Sequence, residues 1–557
     1  MQFRWNHTQG APDYDRETGF GFVTGAVYTA DAGLHIPETN SGFLPLWWYA
    51  GTPISDIRQS EYGLQATAAE ALRTEDAADR RLPVWLRIQV PGEGVYRAEI
   101  TVTGTDGGEV LVFTGRRRLA WRGVLPAGAQ RIVTAYCDVF PIVPRGQVGA
   151  VASDAVNIAV VGGALSAVAL AEAPHTRRIW VCGDSTVTDQ TGELPYAPGT
   201  SYAGWGQMLP AYLPEVCITN HAHSGLTTES FLSEGHWAIV KPRLRAGDIC
   251  LFQFGHNDQK LAHLQARGGY TDRLRTYIKE TRTAGAVPVL ITPLARNSWR
   301  DPTHYNDFLA DFADAVLDLG KEEAVPVLDL HAYAMQLIRQ EGLETAKRWF
   351  YPGDYTHTND FGAYRMAGFV AGALGKAVGL PVADVPAWTP APPFAPLTPP
   401  KDCALPAPDT DPFADYDATR PQEVLTRAEA LELAIKALKF FPINVYNDLY
   451  ADIVGHETYA GTVQCAAQND LIPAAWVADG RLYPQRTVTA ADFLAVLMPG
   501  AAGRRPLAAP SPLPDSVPAY ARFAAGQAVA EQLISADSLN TPMTRSDAAA
   551  LCRRLHI

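Results

Sequence analysis

The stretch Arg178-Ile179-Trp180-Val181-Cys182-Gly183-Asp184-Ser185 decides the reading of the fold. An apolar run closing on Gly-Asp-Ser predicts a buried strand ending in a tight turn, and α/β sheets present nucleophiles just past such strands. Gly-Asp-Ser is also ordinary turn composition, so its weight depends on the residues downstream. Four more apolar segments come after it, separated by helical stretches: 216–219, 249–254, 287–291 and 325–328. Near-continuous apolar strands alternating with helices imply a parallel sheet covered on both faces. Pro288 and Pro326 fit strand starts, since neither can donate inside a ladder. A helix after Gly362, ending near Gly379, is expected to close the domain.

Three later loops carry polar residues: Gly225 in Asn220-His221-Ala222-His223-Ser224-Gly225, Asn257 in Gly255-His256-Asn257-Asp258, and the run Asp354-Tyr355-Thr356-His357. A serine hydroxyl is a weak nucleophile unless a base takes its proton and donors hold the developing oxyanion. Three-residue spacing lets one loop carry the base His357 and the carboxylate that orients it, Asp354. The backbone N–H groups of Ser185 and Gly225, with the Asn257 amide, can form the oxyanion hole. Alone, Asn257 could cap a turn and Gly225 could simply allow a positive φ. All four blocks in order point instead to acyl transfer. No GxSxG, P-loop or dinucleotide fingerprint competes, and no cofactor is implied. His221 and His223 lack a third ligand at suitable spacing, so a structural role is expected rather than a metal site. His256 reads as a packed wall residue. Tyr202, Trp205, Trp299, Trp349 and Tyr351 lie near these loops and could stack on sugar faces, with core packing the alternative for each.

These four blocks resemble those of the GDSL/SGNH hydrolases. Gly183-Asp184-Ser185-Thr186-Val187-Thr188, with Gly204-Trp205-Gly206 further on, resembles the rhamnogalacturonan acetylesterase branch, as does Asp354-Tyr355-Thr356-His357-Thr358-Asn359 with Gly362 behind it. The resemblance covers roughly residues 175–380, by ordered motifs rather than composition. It implies a flavodoxin-like three-layer α/β/α domain that removes acetyl groups from a plant cell-wall polysaccharide or its oligosaccharides. Pectin (rhamnogalacturonan) is the first expectation, and acetylated xylan or another hemicellulose the alternative. By the same resemblance Ser185 is the nucleophile, Asp354 and His357 its partners, and Gly225 and Asn257 oxyanion donors. The chain departs from close relatives at Leu226, where an arginine or another polar residue is common.

Residues 1–174 read as all-β, with short segments such as 84–90, 96–102 and 131–136 between turns; several alternate apolar and polar residues. A β-sandwich resembling galactose-binding or carbohydrate-binding modules is expected, then the hydrolase domain over 175–382 and a Pro-rich linker over 383–420. Residues 421–557 contain a repeat. Thr426, Thr489 and Thr544 each precede a carboxylate by three residues (Glu429, Asp492, Asp547), as in a capping box. Apolar residues recur at +4, +7 and +8: Ala430/Leu433/Ala434, Phe493/Val496/Leu497 and Ala548/Leu551/Cys552. Second elements end in Leu471-Ile472 and Leu533-Ile534. These units resemble S-layer homology repeats, which implies attachment to cell-wall polysaccharide; packing or dimerisation is the alternative. The middle repeat has Ala490 where the others have Arg427 and Arg545. A wall-anchored binding protein is thus the competing reading from another class.

The 557 residues carry a formal net charge of −13 and are 47% hydrophobic, a globular composition without a basic stripe for nucleic acid. The triplet Arg116-Arg117-Arg118 reads as solvated surface charge. Seven cysteines without CxxC spacing read as reduced, mostly buried thiols. No apolar run approaches the roughly 20 residues that span a bilayer. The first residues show neither a basic nor an apolar signal region, so a cytoplasmic enzyme is expected, the alternative being a secreted protein whose signal has been removed.

Overall fold

The computed structural model describes residues 2–23, 27–29, 33–35, 56–67, 82–143, 149–190, 192, 196–301, 304–390, 411–438, 440, 449–453, 457–503 and 505–555. They fall into two compact units: Met1–Gln259 with Ala266–Cys403, and Lys260–Gln265 with Ala404–Ile557.

In the first unit, the opening stretch forms a strand, Arg178–Gly183, within a five-stranded sheet. Its neighbours are Cys217–Asn220 on one side and Ile249–Gln253, Val287–Ile291 and Val327–Leu328 in turn on the other, all parallel. In chain order this is 2-1-3-4-5, the doubly wound flavodoxin-like arrangement, whose ligands gather at the carboxyl ends of the first and third strands. Alternate residues explain the unbroken apolar run. Ile179 and Val181 join a core with the helix Asp360–Val378, whereas Trp180 and Cys182 face a second core with Thr271–Thr283 and Ala310–Glu322. Pro326 lies just before its strand; Pro288 is the second residue of its own, paired with Cys250. The closing helix ends at Gly379, whose φ of 68° supplies the left-handed cap.

The N-terminal region is β-rich. Two mainly antiparallel sheets, of six and five strands, share a core that includes Ile100, Val102 and Leu170 from one and Leu86, Ile88 and Ile158 from the other. Gln130–Val139 shows the expected alternation of buried and accessible residues. Val84–Gln89 and Glu109–Thr114 are buried on both faces, because Trp85, Leu111 and Phe113 point away from that shared core into the core beneath the parallel sheet.

The Arg116–Arg118 triplet overturns the surface reading. It forms the tip of the hairpin between Glu109–Thr114 and Arg118–Val124, and all three side chains are buried. Arg116 pairs with Asp189 at 3.1 Å and donates to the Asn220 carbonyl at 2.6 Å. Arg117 pairs with Asp360 at 2.6 Å. Arg118 pairs with Asp138 and donates to the Ile218 carbonyl. Water is replaced by carboxylates and strand-end carbonyls, which is what burying a guanidinium requires.

Both ends of the linker expected over 383–420 carry packed aromatic residues. Trp388 is buried edge-on against Phe361 and Tyr364, and Phe413 and Tyr416 join the core of the second unit. Residues 391–410 of the expected linker lie outside the described residues.

The second unit is helical. Thr426, Thr489 and Thr544 are N-caps of Arg427–Ala437, Ala490–Ala502 and Arg545–Arg554. The first two make both halves of a capping box, and the third makes only the Thr544 half. Each capped helix packs against another: Ala460–Gln468, Arg522–Ala530 and Ala414–Ala418 respectively. The apolar triplets at +4, +7 and +8 are all buried. Backbone bonds close the repeats into a ring: Leu425 N–H donates to Met543, Met543 to Val488, and Val488 to Leu425, at 2.8–3.0 Å. Arg427 turns inward to the Trp476 and Leu482 carbonyls, and Arg545 to the Thr419 carbonyl.

The six described cysteines are all buried and unbridged. Among the described residues no helix is long and apolar enough to cross a membrane.

Candidate active site

Ser185 stands immediately past the Arg178–Gly183 strand, in a turn pinned from below. The buried Asp184 carboxylate accepts the Thr186 N–H at 2.9 Å and its hydroxyl at 2.8 Å, while the Asp184 carbonyl accepts from Val187 and Thr188. Gln190 donates to the Ser185 carbonyl at 2.8 Å. Gly204 must be glycine here, since a Cβ would stand 2.4 Å from the Thr188 carbonyl oxygen. That close approach is the physical content of the Gly204-Trp205-Gly206 motif.

The loops after the next two strands converge on this turn. His223 N–H donates to the Gly183 carbonyl at 3.1 Å. Gly225 comes next with φ of 87°, in open space. The Asn257 side-chain N–H donates to the Leu226 carbonyl at 3.0 Å, which orients the amide. Asp258 ties the two loops together, accepting the Thr228 N–H and O–H at 2.8 and 2.6 Å and the Gly255 N–H at 3.1 Å. Burial pushes its carboxyl up to about 6 despite these bonds. Leu226, the departure from close relatives, is buried with Phe231 and Phe254, so its carbonyl and not its side chain serves this cluster.

The late loop completes the constellation. His357 Nε2 lies 2.8 Å from Ser185 Oγ, and its Nδ1 lies 2.8 Å from Asp354 Oδ2. The other Asp354 oxygen accepts the Thr356 and His357 N–H groups at 2.7 and 3.1 Å. Burial raises the Asp354 carboxyl, but these bonds and the imidazole outweigh it and bring it down to about 2. Asp354 therefore stays ionised and fixes His357 Nδ1 as donor, leaving Nε2 to accept the serine proton. Such a set can carry an acyl group on serine.

The aromatic expectations divide. Tyr202 stacks on Tyr351 at 3.6 Å between centroids and meets the His357 ring edge-on at 5.7 Å, so both stand beside the base. Trp205 is a correction: it is fully buried with its indole N–H given to Gln253 at 2.7 Å, and no sugar can reach it. Trp349 is equally buried and donates to Glu341. Trp299 is half-buried, donating to Asn297 and packed on Tyr305.

His221 is buried against Trp180, and burial holds it well below the usual imidazole range. His256 Nδ1 lies 3.3 Å from Asp184 Oδ2, so this wall residue also underpins the serine turn. Among the described residues no group of three His, Cys, Asp or Glu is placed to hold a metal.

Sequence reasoning missed Arg117. Its Nη2 donates to the Tyr202 carbonyl, and its partner Asp360 also accepts from Tyr196 at 2.7 Å. The N-terminal hairpin thus braces the segment that carries the Tyr202 ring. The one available signal was three charges between two strongly apolar strands, a costly place for solvated arginines.

A doubly wound sheet carrying a serine, histidine and aspartate in sequential contact at its carboxyl edge defines a serine hydrolase. Residues 181–365 match the GDSL-like Lipase/Acylhydrolase family. The chain is 33% identical over 222 residues to the rhamnogalacturonan acetylesterase RhgT of Bacillus subtilis (strain 168), covering 37% of this chain and 93% of that protein. It is also 33% identical over 215 residues to the probable rhamnogalacturonan acetylesterase YesY of the same organism, covering 37% of this chain and 95% of YesY. A third B. subtilis relative, the uncharacterized esterase YxiM, is 25% identical over 368 residues, 64% of this chain and 82% of YxiM. The chain belongs to the GDSL-like lipase/acylhydrolase family and is a carboxylic ester hydrolase.

Proposed function

We propose that the protein is a serine carbohydrate acetylesterase acting on an acetylated plant cell-wall polysaccharide or oligosaccharide, rhamnogalacturonan in the first place. The observation that carries the mechanism is the contact of His357 Nε2 with Ser185 Oγ, backed by Asp354 at Nδ1. The two 33%-identical relatives, a rhamnogalacturonan acetylesterase and a probable one, support the substrate class. In this reading Ser185 Oγ attacks the acetyl carbonyl carbon and its proton passes to His357 Nε2. The Ser185 and Gly225 N–H groups and the Asn257 amide hold the oxyanion. On collapse, the C–O bond to the sugar breaks and His357 protonates the departing alkoxide. Water, deprotonated by His357, then attacks the acetyl-serine and releases acetate and the free hydroxyl. Tyr202 and Tyr351 form the wall against which the sugar packs.

We further propose that the divisions at 1–174, 175–382 and 421–557 are functional. The first serves as a brace for the site, which the Arg117 contacts support. The third serves as a packing or dimerisation module, since Arg427 and Arg545 are occupied within their own unit.

The test is acetate release across acetylated rhamnogalacturonans, xylans and mannans and their oligomers, with the wild-type chain and Ser185→Ala. Release from rhamnogalacturonan that vanishes in Ser185→Ala supports the reading. Full activity in Ser185→Ala overturns the mechanism, and release from xylan alone overturns the substrate.

A further inference from the structure

Among the described residues, one buried cation at the carboxyl edge of the sheet makes no ion pair. Arg296 comes after the Val287–Ile291 strand and is only 6% exposed. Its backbone is fixed on both sides: Tyr305 O–H donates to the Arg296 carbonyl at 2.8 Å, and the next N–H, of Asn297, donates to the Tyr355 carbonyl at 2.8 Å. Arg296 therefore stands between the loop bearing Asp354 and His357 and the loop bearing Asn257. Its guanidinium is left almost unused. Nη2 reaches the His256 carbonyl only at 3.5 Å, and the buried Nε has no hydrogen-bond partner among the described residues. Among the described residues Arg296 makes no ion pair, unlike the buried Arg116, Arg117, Arg118, Arg178 and Arg348. The carboxylates that act on it through space, Asp184 and Asp354, are committed to Thr186 and His256 and to His357. Burying a guanidinium without an anion is costly, and a carboxylate that reached Arg296 would relieve that cost.

We propose that Arg296 is an anion subsite that takes the carboxylate of a uronic acid residue adjoining the acetyl group under attack. The proposal rests on the acetylesterase reading and deepens it, because it makes the negative charge of the chain part of recognition. Arginine's planar fork matches a carboxylate with two parallel hydrogen bonds, and a neutral pentose chain offers no such partner. Tyr202 and Tyr351 would hold the apolar face of the sugar while Arg296 sets its charged edge.

The test compares KM for an acetylated uronate-containing oligosaccharide with KM for the same oligosaccharide after its carboxyl groups are reduced to alcohols. A charge-assisted bidentate contact predicts that the wild-type chain binds the acidic form about 10- to 100-fold more tightly. Arg296→Gln should bring that ratio close to one, and Arg296→Lys should keep part of it. A structural role would move both substrates together and leave the ratio standing. As a check that needs no variant, unacetylated oligogalacturonate should inhibit wild-type hydrolysis of 4-nitrophenyl acetate competitively, and its carboxyl-reduced form should not. An equal wild-type KM for the two oligosaccharides, or an unchanged ratio in Arg296→Gln, overturns the subsite while leaving the acetylesterase standing. Acetate release from neutral chains only overturns the subsite and the rhamnogalacturonan reading together, and leaves the serine acetylesterase mechanism standing.

Discussion

Replacing Asp354 by Asn tests the site at its most informative atom. The Asn Oδ1 can keep the bonds from the Thr356 and His357 N–H groups at 2.7 and 3.1 Å, so the loop should hold its shape. The amide nitrogen then falls where Asp354 Oδ2 stands, 2.8 Å from His357 Nδ1. Being a donor, it forces Nδ1 to accept, and the ring proton moves to Nε2. Nε2 lies 2.8 Å from Ser185 Oγ and can no longer take its proton. The imidazolium formed during attack also loses its counter-charge. Together these effects should lower kcat about 10⁴-fold, or about 5.4 kcal/mol at 1.36 kcal/mol per decade. The assay is acetate release from an acetylated substrate at saturation, with thermal unfolding in parallel. Because Ser185, His357 and Asp354 act as one unit, Ser185→Ala with Asp354→Asn should lose little more than Ser185→Ala alone. A fall of less than tenfold in Asp354→Asn, with unfolding unchanged, would refute the role given to this carboxylate.

The brace and the buried charges make further predictions. Arg117→Met strands the fully buried Asp360 carboxylate and should cost about 3–5 kcal/mol in urea unfolding; Arg117→Met with Asp360→Asn should recover part of the loss. Asp258 sits at about 6 in the folded chain against about 3.9 when unfolded, so the native state holds its proton more tightly. Stability should therefore fall as pH rises from about 4 through 6, by about 3 kcal/mol from this group, and Asp258→Asn should flatten that limb of the stability curve. Thr489→Ala removes the bond to the Asp492 N–H and should cost the second unit about 1 kcal/mol, read as a lower Tm for that unit.

Much of this was legible because it is local. Gly183-Asp184-Ser185 closes an apolar run whose residues alternate between two cores, and that pattern announces a buried parallel strand before any partner is known. Thr426 and Thr489 cap helices through bonds spanning three residues, so their spacing alone predicts them. Asp354 and His357 share one loop for the same reason. What the sequence by itself determined, then, was the order of strands and helices, the four blocks, and the chemistry those residue types can perform.

Tertiary structure decided which side chains meet across long separations, and there local pattern is silent. Trp205 beside a motif glycine looks like a sugar platform; packing sends it to Gln253, 48 residues away. Leu226 looks like a gap in the site, yet it is a core residue lending its carbonyl to Asn257. Arg117 meets Asp360 across 243 residues, turning three apparent surface charges into a brace. Arg296, another arginine in the same string of letters, is buried beside the late loop without an ion pair among the described residues. Whether a buried charge finds an opposite charge depends on where the folded chain places distant residues, so only the folded chain separates the arginine that braces the site from the one left to meet a ligand.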